Sequence, residues 1–415
     1  MIIPGLMTAA ETASELCSFA GRRGGSDAER RAALWLSDRL RSQGRVATIE
    51  TFWCRPDWAR AHAWHAVLGL AASVLLVSNP RIGGVLALVT VVSIGVDATT
   101  GRSLGRRLTP ECASQNVVAL DAKARPDAIR LIVTANYDAG RSGLVYGPWP
   151  RSLAASLRRA AAAGRLTPGW LGWLNVALLW LVVVAIARNS GTSGVVIDVV
   201  QVVPSIGLLG AAAALLELSL SATTPGACDN AGGVAVALAA LAAHDARRGA
   251  DPGARLAVDL VLQGASDGDP IGLRRHLRSR RVAGARPLVL GVAACGAGSP
   301  TWWRSDGPLW PLRYDRRLSE LAANAASSTA GPTAGHRGRV ATPALAARAA
   351  GLPAIAIGCL DERGLVPRSH RPADTPAALD PGLLDASAGL ALDLLAAIEA
   401  DADADADTVS ATRRP

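Results

Sequence analysis

Lysine is almost missing from this 415-residue chain. Lys123 stands alone among 43 basic residues, so arginine carries the net charge of +9. Phenylalanine and tyrosine are scarce as well: 11 Trp stand against 3 Tyr and 2 Phe. The six cysteines (Cys17, Cys54, Cys112, Cys228, Cys295 and Cys359) are scattered, with no CxxC pair. That spacing suggests neither a disulfide framework nor a cysteine zinc site, and implies reduced thiols in a cytoplasmic compartment. No zinc-finger spacing occurs, and no basic stripe interleaved with aromatics, so no nucleic-acid partner is expected. The N-terminus, MIIPGLMTAAETASELC, has no basic region followed by an apolar core and does not read as a signal peptide.

Half of the residues are hydrophobic, and mean hydropathy is +0.25. A soluble domain joined to a few membrane helices fits both values. The arginine excess reads either as a compositional bias towards Ala, Arg and Gly or as attraction to anionic lipid headgroups.

Residues 61–80 contain no Asp, Glu, Lys or Arg, about the length that crosses a bilayer core. After the turn Asn79-Pro80-Arg81, residues 82–96 are again uncharged and end at Asp97. The pair predicts a membrane hairpin, with a buried soluble hairpin as the alternative. Trp58 and Trp64 near its first edge favour the membrane. Residues 166–187 and 195–216 predict a second hairpin, interrupted only by Asp198. The expected organisation is therefore 1–60 soluble, 61–100 hairpin one, 101–165 soluble, 166–218 hairpin two, 219–400 soluble, and 401–415 a disordered acidic tail. The soluble-side flanks carry Arg55, Arg60, Arg102, Arg106, Arg107, Arg158, Arg159 and Arg165, against one arginine at each tip, Arg81 and Arg188. The positive-inside rule then predicts a multi-pass cell-membrane protein with its soluble domain in the cytoplasm. Membrane lipid is one expected partner.

The soluble segments alternate helix and strand. Ser26 to Glu29 predicts a capping box before a helix over 30–43, and residues 46–53 predict a strand. Further strands are expected at 116–120, 129–135, 255–262, 286–293 and 352–357. Helices are expected at 150–163 (amphipathic), 232–247, 271–280, 316–330 and 381–400. This pattern predicts an α/β fold, a mixed and mostly parallel sheet with helices on both faces, interrupted by the two hairpins. Ligands in such folds sit at the carboxyl ends of strands.

Polar groups cluster after those strands: Asn136 and Asp138, then Asp229, then Ser266, Asp267 and Asp269, then His370 and Asp374. Carboxylates and an imidazole from separate loops are the donor types zinc takes, with one position left open for water. A lone loop histidine is more often a surface residue.

The segments GGSDAERRAALWLSDRLRSQG, NVVAL, LIVTANYDAG, PGACDNAGGVAVAL, GLPAIAI and SHRPADTPAALDP resemble, in that order, metallopeptidase family twenty-eight, the co-catalytic di-zinc aminopeptidases. The resemblance covers residues 20–60, 112–140 and 225–400, and PGxxDNxxG with HxxxDT is its specific part. It implies a zinc aminopeptidase-like fold. It also implies that Asp229 is the zinc-bridging carboxylate, His370 the second-zinc ligand, and Asp138 the residue that orients the first histidine. Asn136 stands where that histidine belongs. The family's Glu-Glu pair, base then ligand, falls on Ser266 and Asp267; Asp267 can still ligate, whereas Ser266 is no base near neutral pH. The last carboxylate ligand falls on Ala293. Two zinc ions about 3.5–4 Å apart need several anionic or imidazole ligands, so a full pair is not expected. One ion, or a shift of Asp269 into the base position, remains open.

Three functions follow as expectations. The first is a degenerate membrane-embedded member that no longer hydrolyses peptides and whose pocket binds a peptide end or a membrane-protein partner. The second is a working metallo-exopeptidase with an altered metal site. The third is a structural or transport-associated membrane protein. Asp97 and Asp198 sit at the ends of the apolar runs, which gives a transport path little support.

Overall fold

The computed structural model describes residues 7–125, 127–160, 168–249, 255–279, 286–328 and 335–412. Helices α1 (Ala9–Ser18) and α2 (Asp27–Ser42) lead into strand β1 (Val46–Cys54). The first apolar pair is α3 (Trp58–Ser78) and α4 (Pro80–Thr100), followed by the short α5 (Leu104–Arg107), β2 (Cys112–Leu120), β3 (Ile129–Asn136) and α6 (Pro148–Ala160). The second apolar pair is α7 (Trp170–Asn189) and α8 (Val195–Leu220). The remainder is α9 (Gly233–Arg248), β4 (Leu256–Gln263), α10 (Ile271–Ser279), β5 (Leu288–Val292), β6 (Ser299–Asp306), β7 (Leu312–Arg313), α11 (Arg316–Ser328), β8 (His336–Arg337), α12 (Leu345–Ala349), β9 (Ala354–Leu360) and α13 (Pro381–Thr412).

Nine strands form one mixed sheet in the order β1-β2-β4-β3-β5-β9-β6-β7, with β8 on β6. The expectation of a mostly parallel sheet needs correcting. β4, β3, β5 and β9 are mutually parallel, but β1, β2, β6 and β7 add antiparallel flanks. β6 to β8 carried no clear strand pattern in the sequence. The central strands are buried throughout, as in β4, where all eight residues are inaccessible. A parallel strand covered on both faces loses the alternation that marks a half-exposed one. Two groups of helices cover the sheet: α1, α9, α11 and α13 pack together, and α10 packs with α12.

Three local expectations change. Ser26 caps α2 by accepting from the Glu29 amide, but the Glu29 side chain does not reach back to it. Its carboxylate turns inward to the Gly25 and Ala265 amides and the Ser114 hydroxyl. The acidic run expected to be a disordered tail continues α13 as far as Thr412. The amphipathic helix expected at 150–163 begins at Pro148, and residues 161–163 lie outside the described residues.

Among the described residues, five helices are long and apolar enough to cross a membrane by length and composition. One of them, Ala227–Arg248, has 78% of its apolar window buried and belongs to the α/β domain. The other four are the expected hairpins. They share a core of their own, including Leu76, Ile94, Leu178, Leu181 and Leu208. They also turn large apolar side chains outward, among them Val74, Val77, Val183 and Ile206.

Candidate functional site

Parallel strands share one carboxyl edge, and this edge assembles the site. Asn136 closes β3, Gln263 closes β4, and Ala293 follows β5 directly, so the loops after them meet. The irregular turn Ala227–Gly232 brings Asp229 to the same place. Gly232 and Gly233 permit this, because a Cβ on either would come within 2.3–2.4 Å of the Cys295 or Ala293 carbonyl oxygen. A cleft is thereby lined by Asp138, Asp267 and His370, together with Arg23, Arg141, Trp58 and Leu218.

Asp138 is buried, and its Oδ2 accepts from the Ser266 and Asp267 amides, both at 2.9 Å. Burial, with the Asp267 charge adding to it, pushes its pKa up to about 7. Asp374 accepts from the Cys228 and Asp229 amides at 2.8 and 3.1 Å, and so fixes the turn that carries Asp229. Burial pushes its pKa up to about 6. Asp229 itself accepts from the Ser369 hydroxyl at 2.5 Å.

His370 has φ 56°, the left-handed region that non-glycine residues rarely adopt. Two contacts hold it there. Nδ1 donates to the Arg141 carbonyl at 2.7 Å, and the Tyr146 ring stacks on the imidazole at 4.2 Å between centroids. A carbonyl only accepts, so Nδ1 keeps its proton. Nε2 faces Asp267 Oδ1 at 3.4 Å. Burial lowers the pKa of His370, but the Asp267 and Asp229 charges outweigh it and raise it overall. Burial also raises the pKa of Asp267, against His370. Gly140 leaves room for the two groups, since a Cβ there would stand 2.4 Å from His370 Cε1.

The substituted positions are engaged elsewhere. Asn136 Oδ1 accepts from Asn230 Nδ2 at 3.0 Å, and its Nδ2 faces Asp138 Oδ1 at 3.4 Å. Ser266 Oγ donates to the Gly264 carbonyl and accepts from the Gly272 amide, both at 2.9 Å. Ala293 offers no donor atom. Asp269, considered as a replacement base, points away from the cleft: Arg106 holds it at 2.6 Å and Arg274 at 3.0 Å. Among the described residues, no group of three or more His, Cys, Asp or Glu is placed to hold a metal ion. The donor set does not fit a zinc pair.

Several side chains that shape the site carried no motif. Arg22 donates to the carbonyls of Tyr137, Pro225 and Gly226, joining the loop of Asp138 to the turn of Asp229. Trp58, at the start of α3, lines the cleft beside Asp267. Glu29 holds Ala265, one residue before Ser266. Only the capping pattern marked Glu29, and it pointed to a different partner.

No protein-family model matches the sequence, and no curated protein matches it either. Solved structures do match the fold. Porphyromonas gingivalis glutaminyl cyclase is similar at TM-score 0.52 and 16% identity, over 94% of this chain and 96% of that one. Tannerella forsythia glutaminyl cyclase gives 0.52 and 13%, over 93% and 96%. A Zn-dependent exopeptidase from Parabacteroides distasonis gives 0.51 and 12%, also over 93% and 96%. The fold is zinc aminopeptidase-like, and these identities show the fold alone.

Proposed function

We propose that this is an integral membrane protein whose zinc aminopeptidase-like domain binds a peptide end or a membrane-protein partner and does not hydrolyse peptides. The observation that carries this reading is the state of the three substituted positions. Asn136 spends its amide on Asn230 and Asp138, Ser266 spends its hydroxyl on its own loop, and Ala293 has nothing to donate. Asp229, Asp267 and His370 alone are a poor basis for two mutually repelling cations.

Membrane integration is supported by four apolar helices that pack only through part of their surface and face outward with Val, Ile and Leu. The arginine bias of the flanks supports a cytoplasmic domain.

The test is zinc content and aminoacyl-anilide hydrolysis of the protein purified in mild detergent, beside Asp229→Ala. The expected result is substoichiometric zinc and no hydrolysis in either. Stoichiometric zinc, with hydrolysis abolished by Asp229→Ala, would sink the proposal and leave the altered-metal exopeptidase. The triple variant Asn136→His, Ser266→Glu, Ala293→Asp is expected to gain zinc. If it does not, the assignment of those positions is wrong.

A further inference from the structure

Large apolar side chains are exposed close together on a short segment beside the site. Leu144 is 77% exposed, Val145 39%, Trp149 74% and Leu153 45%. The segment comprises a single turn, Leu144–Tyr146, and the start of α6. The sequence predicts an amphipathic helix here, and neither the fold nor the proposed activity uses its apolar side.

Its attachments set its level in the molecule. The Leu144 amide donates to Glu217 Oε2 at 3.1 Å, the Ser142 amide donates to the Ala222 carbonyl at 2.8 Å, and Arg141 donates to the Ser219 carbonyl. All three acceptors lie at the end of α8, where an apolar helix gives way to the α/β domain. The small face of α6 packs inward, with Ala155 1% exposed. Arg151 donates to the Val366 carbonyl at 2.6 Å and to the Ser369 carbonyl at 3.5 Å. The large apolar side chains are thus held outward by contacts to their neighbours rather than left loose.

We infer that the segment Leu144–Leu153 is a lipid-immersed lip of the site, with Leu144, Val145, Trp149 and Leu153 seated in the headgroup–acyl boundary of the bilayer that the hairpins cross. Trp149 and Leu153, one turn apart on α6, with Leu144 and Val145 on the turn before it, present an indole and aliphatic side chains together, the composition of an interfacial element. Exposed apolar surface of this density needs a covering. Continuity with the end of α8 favours lipid over a protein partner. The lip also bears directly on the site, because Tyr146 stacks on His370 and Arg151 holds the carbonyls of Val366 and Ser369 beside it. Lipid contact would then fix the residues that hold His370. This inference rests on the proposed membrane integration.

The experiment places a polarity-sensitive fluorophore on single cysteines in the full chain reconstituted into vesicles. Cys17→Ser and Cys112→Ser first remove the two thiols that are not buried. Trp149→Cys and Leu153→Cys report on the lip. Ile206→Cys reports on the middle of α8, and Leu34→Cys on an exposed apolar residue of α2. The expected result is quenching of both lip labels by lipids brominated near the headgroup, at least about twofold, with protection from aqueous iodide relative to Leu34→Cys. If Ile206→Cys is quenched by lipid but the lip labels behave like Leu34→Cys, the lip is aqueous and the inference fails while membrane integration stands. If Ile206→Cys is not quenched even by lipids brominated near the end of the acyl chain, membrane integration fails and the inference with it. Lip labels shielded from both iodide and lipid would mean that protein covers the segment, which also overturns the inference.

Discussion

The two apolar hairpins differ in where their polar side chains lead. In the first, His65 Nε2 meets Ser93 at 2.9 Å, His65 and His62 meet through their Nδ1 atoms at 3.2 Å, and His62 Nε2 meets Asp97 at 3.2 Å. Asp97 then pairs with Arg106 at 2.7 Å, and Arg106 with Asp269 at 2.6 Å. The chain of contacts leaves the hairpin and ends in the loop that carries Asp267. In the second, Arg188 pairs with Asp198 and donates to Gln201, which donates to the Ser73 carbonyl of the first hairpin. Those contacts stay at the far tip. The first hairpin is keyed into the Asp267 loop by a buried ionic chain, whereas the polar contacts at the tip of the second brace the first, and α8 reaches the site only at its other end, through Glu217 and Leu218. Polar groups in an apolar layer cost free energy unless paired. Their placement therefore marks where the two parts of the molecule must stay in register.

The largest effect expected from breaking this contrast is Arg106→Leu. It takes the shared cation from two carboxylates, Asp97 and Asp269, which are 3% and 15% exposed at their side chains and keep only His62 and Arg274 as partners. Removing one partner of a buried ion pair costs about 3–5 kcal/mol. Thermal unfolding in detergent should show that loss, and amide exchange in the Asp267 loop should speed up with it. A companion Asp97→Leu change should recover part of the stability, since an apolar replacement of both partners is cheaper than a stranded charge.

The next effect holds the same loop from its other side. Burial, reinforced by the Asp138 charge, raises the pKa of Glu29 to about 8 against the hydrogen bonds it accepts. The unfolded value is 4.5. A carboxyl whose folded pKa is raised binds more protons in the native state between those values. Its contribution is complete below the unfolded value and disappears as pH climbs towards the folded one. Stability should therefore fall between pH 5 and pH 8, by roughly 4 kcal/mol at most. Glu29→Gln should flatten that fall. A slope unchanged by the variant would assign it to other groups.

The smallest effect belongs to the second hairpin. Gln201→Leu removes the bond from Arg188 and the neutral bonds to Ser73 at the tip, worth about 2 kcal/mol. Unfolding should shift only slightly, and amide exchange in the Asp267 loop should not change. A change there as large as that of Arg106→Leu would erase the distinction between the hairpins.

The sequence and the structure agree best where the signal is local. The strand at 129–135, the helix beginning near Gly232 and the four apolar runs each announce themselves through spacing, turn residues or length. β6 to β8 were missed because two of them are only two residues long and β6 has no clean alternation. At the site, Asp138, Asp267 and His370 were legible and do line one cleft. Glu29 and Asp269 were misread because each could be judged only by its neighbours in the chain. Glu29 stood three residues after a capping serine, and Asp269 stood two after Asp267.

The sequence by itself determined which segments are long and apolar and which segments build the α/β layer. Only the tertiary structure decided what the polar side chains do. Arg106 and Asp269 are 163 residues apart in the chain, and Glu29 and Ala265 are 236 apart. Periodicity and turn chemistry act over a few residues, whereas the partner of a buried charge is set by which loops the sheet brings to one edge.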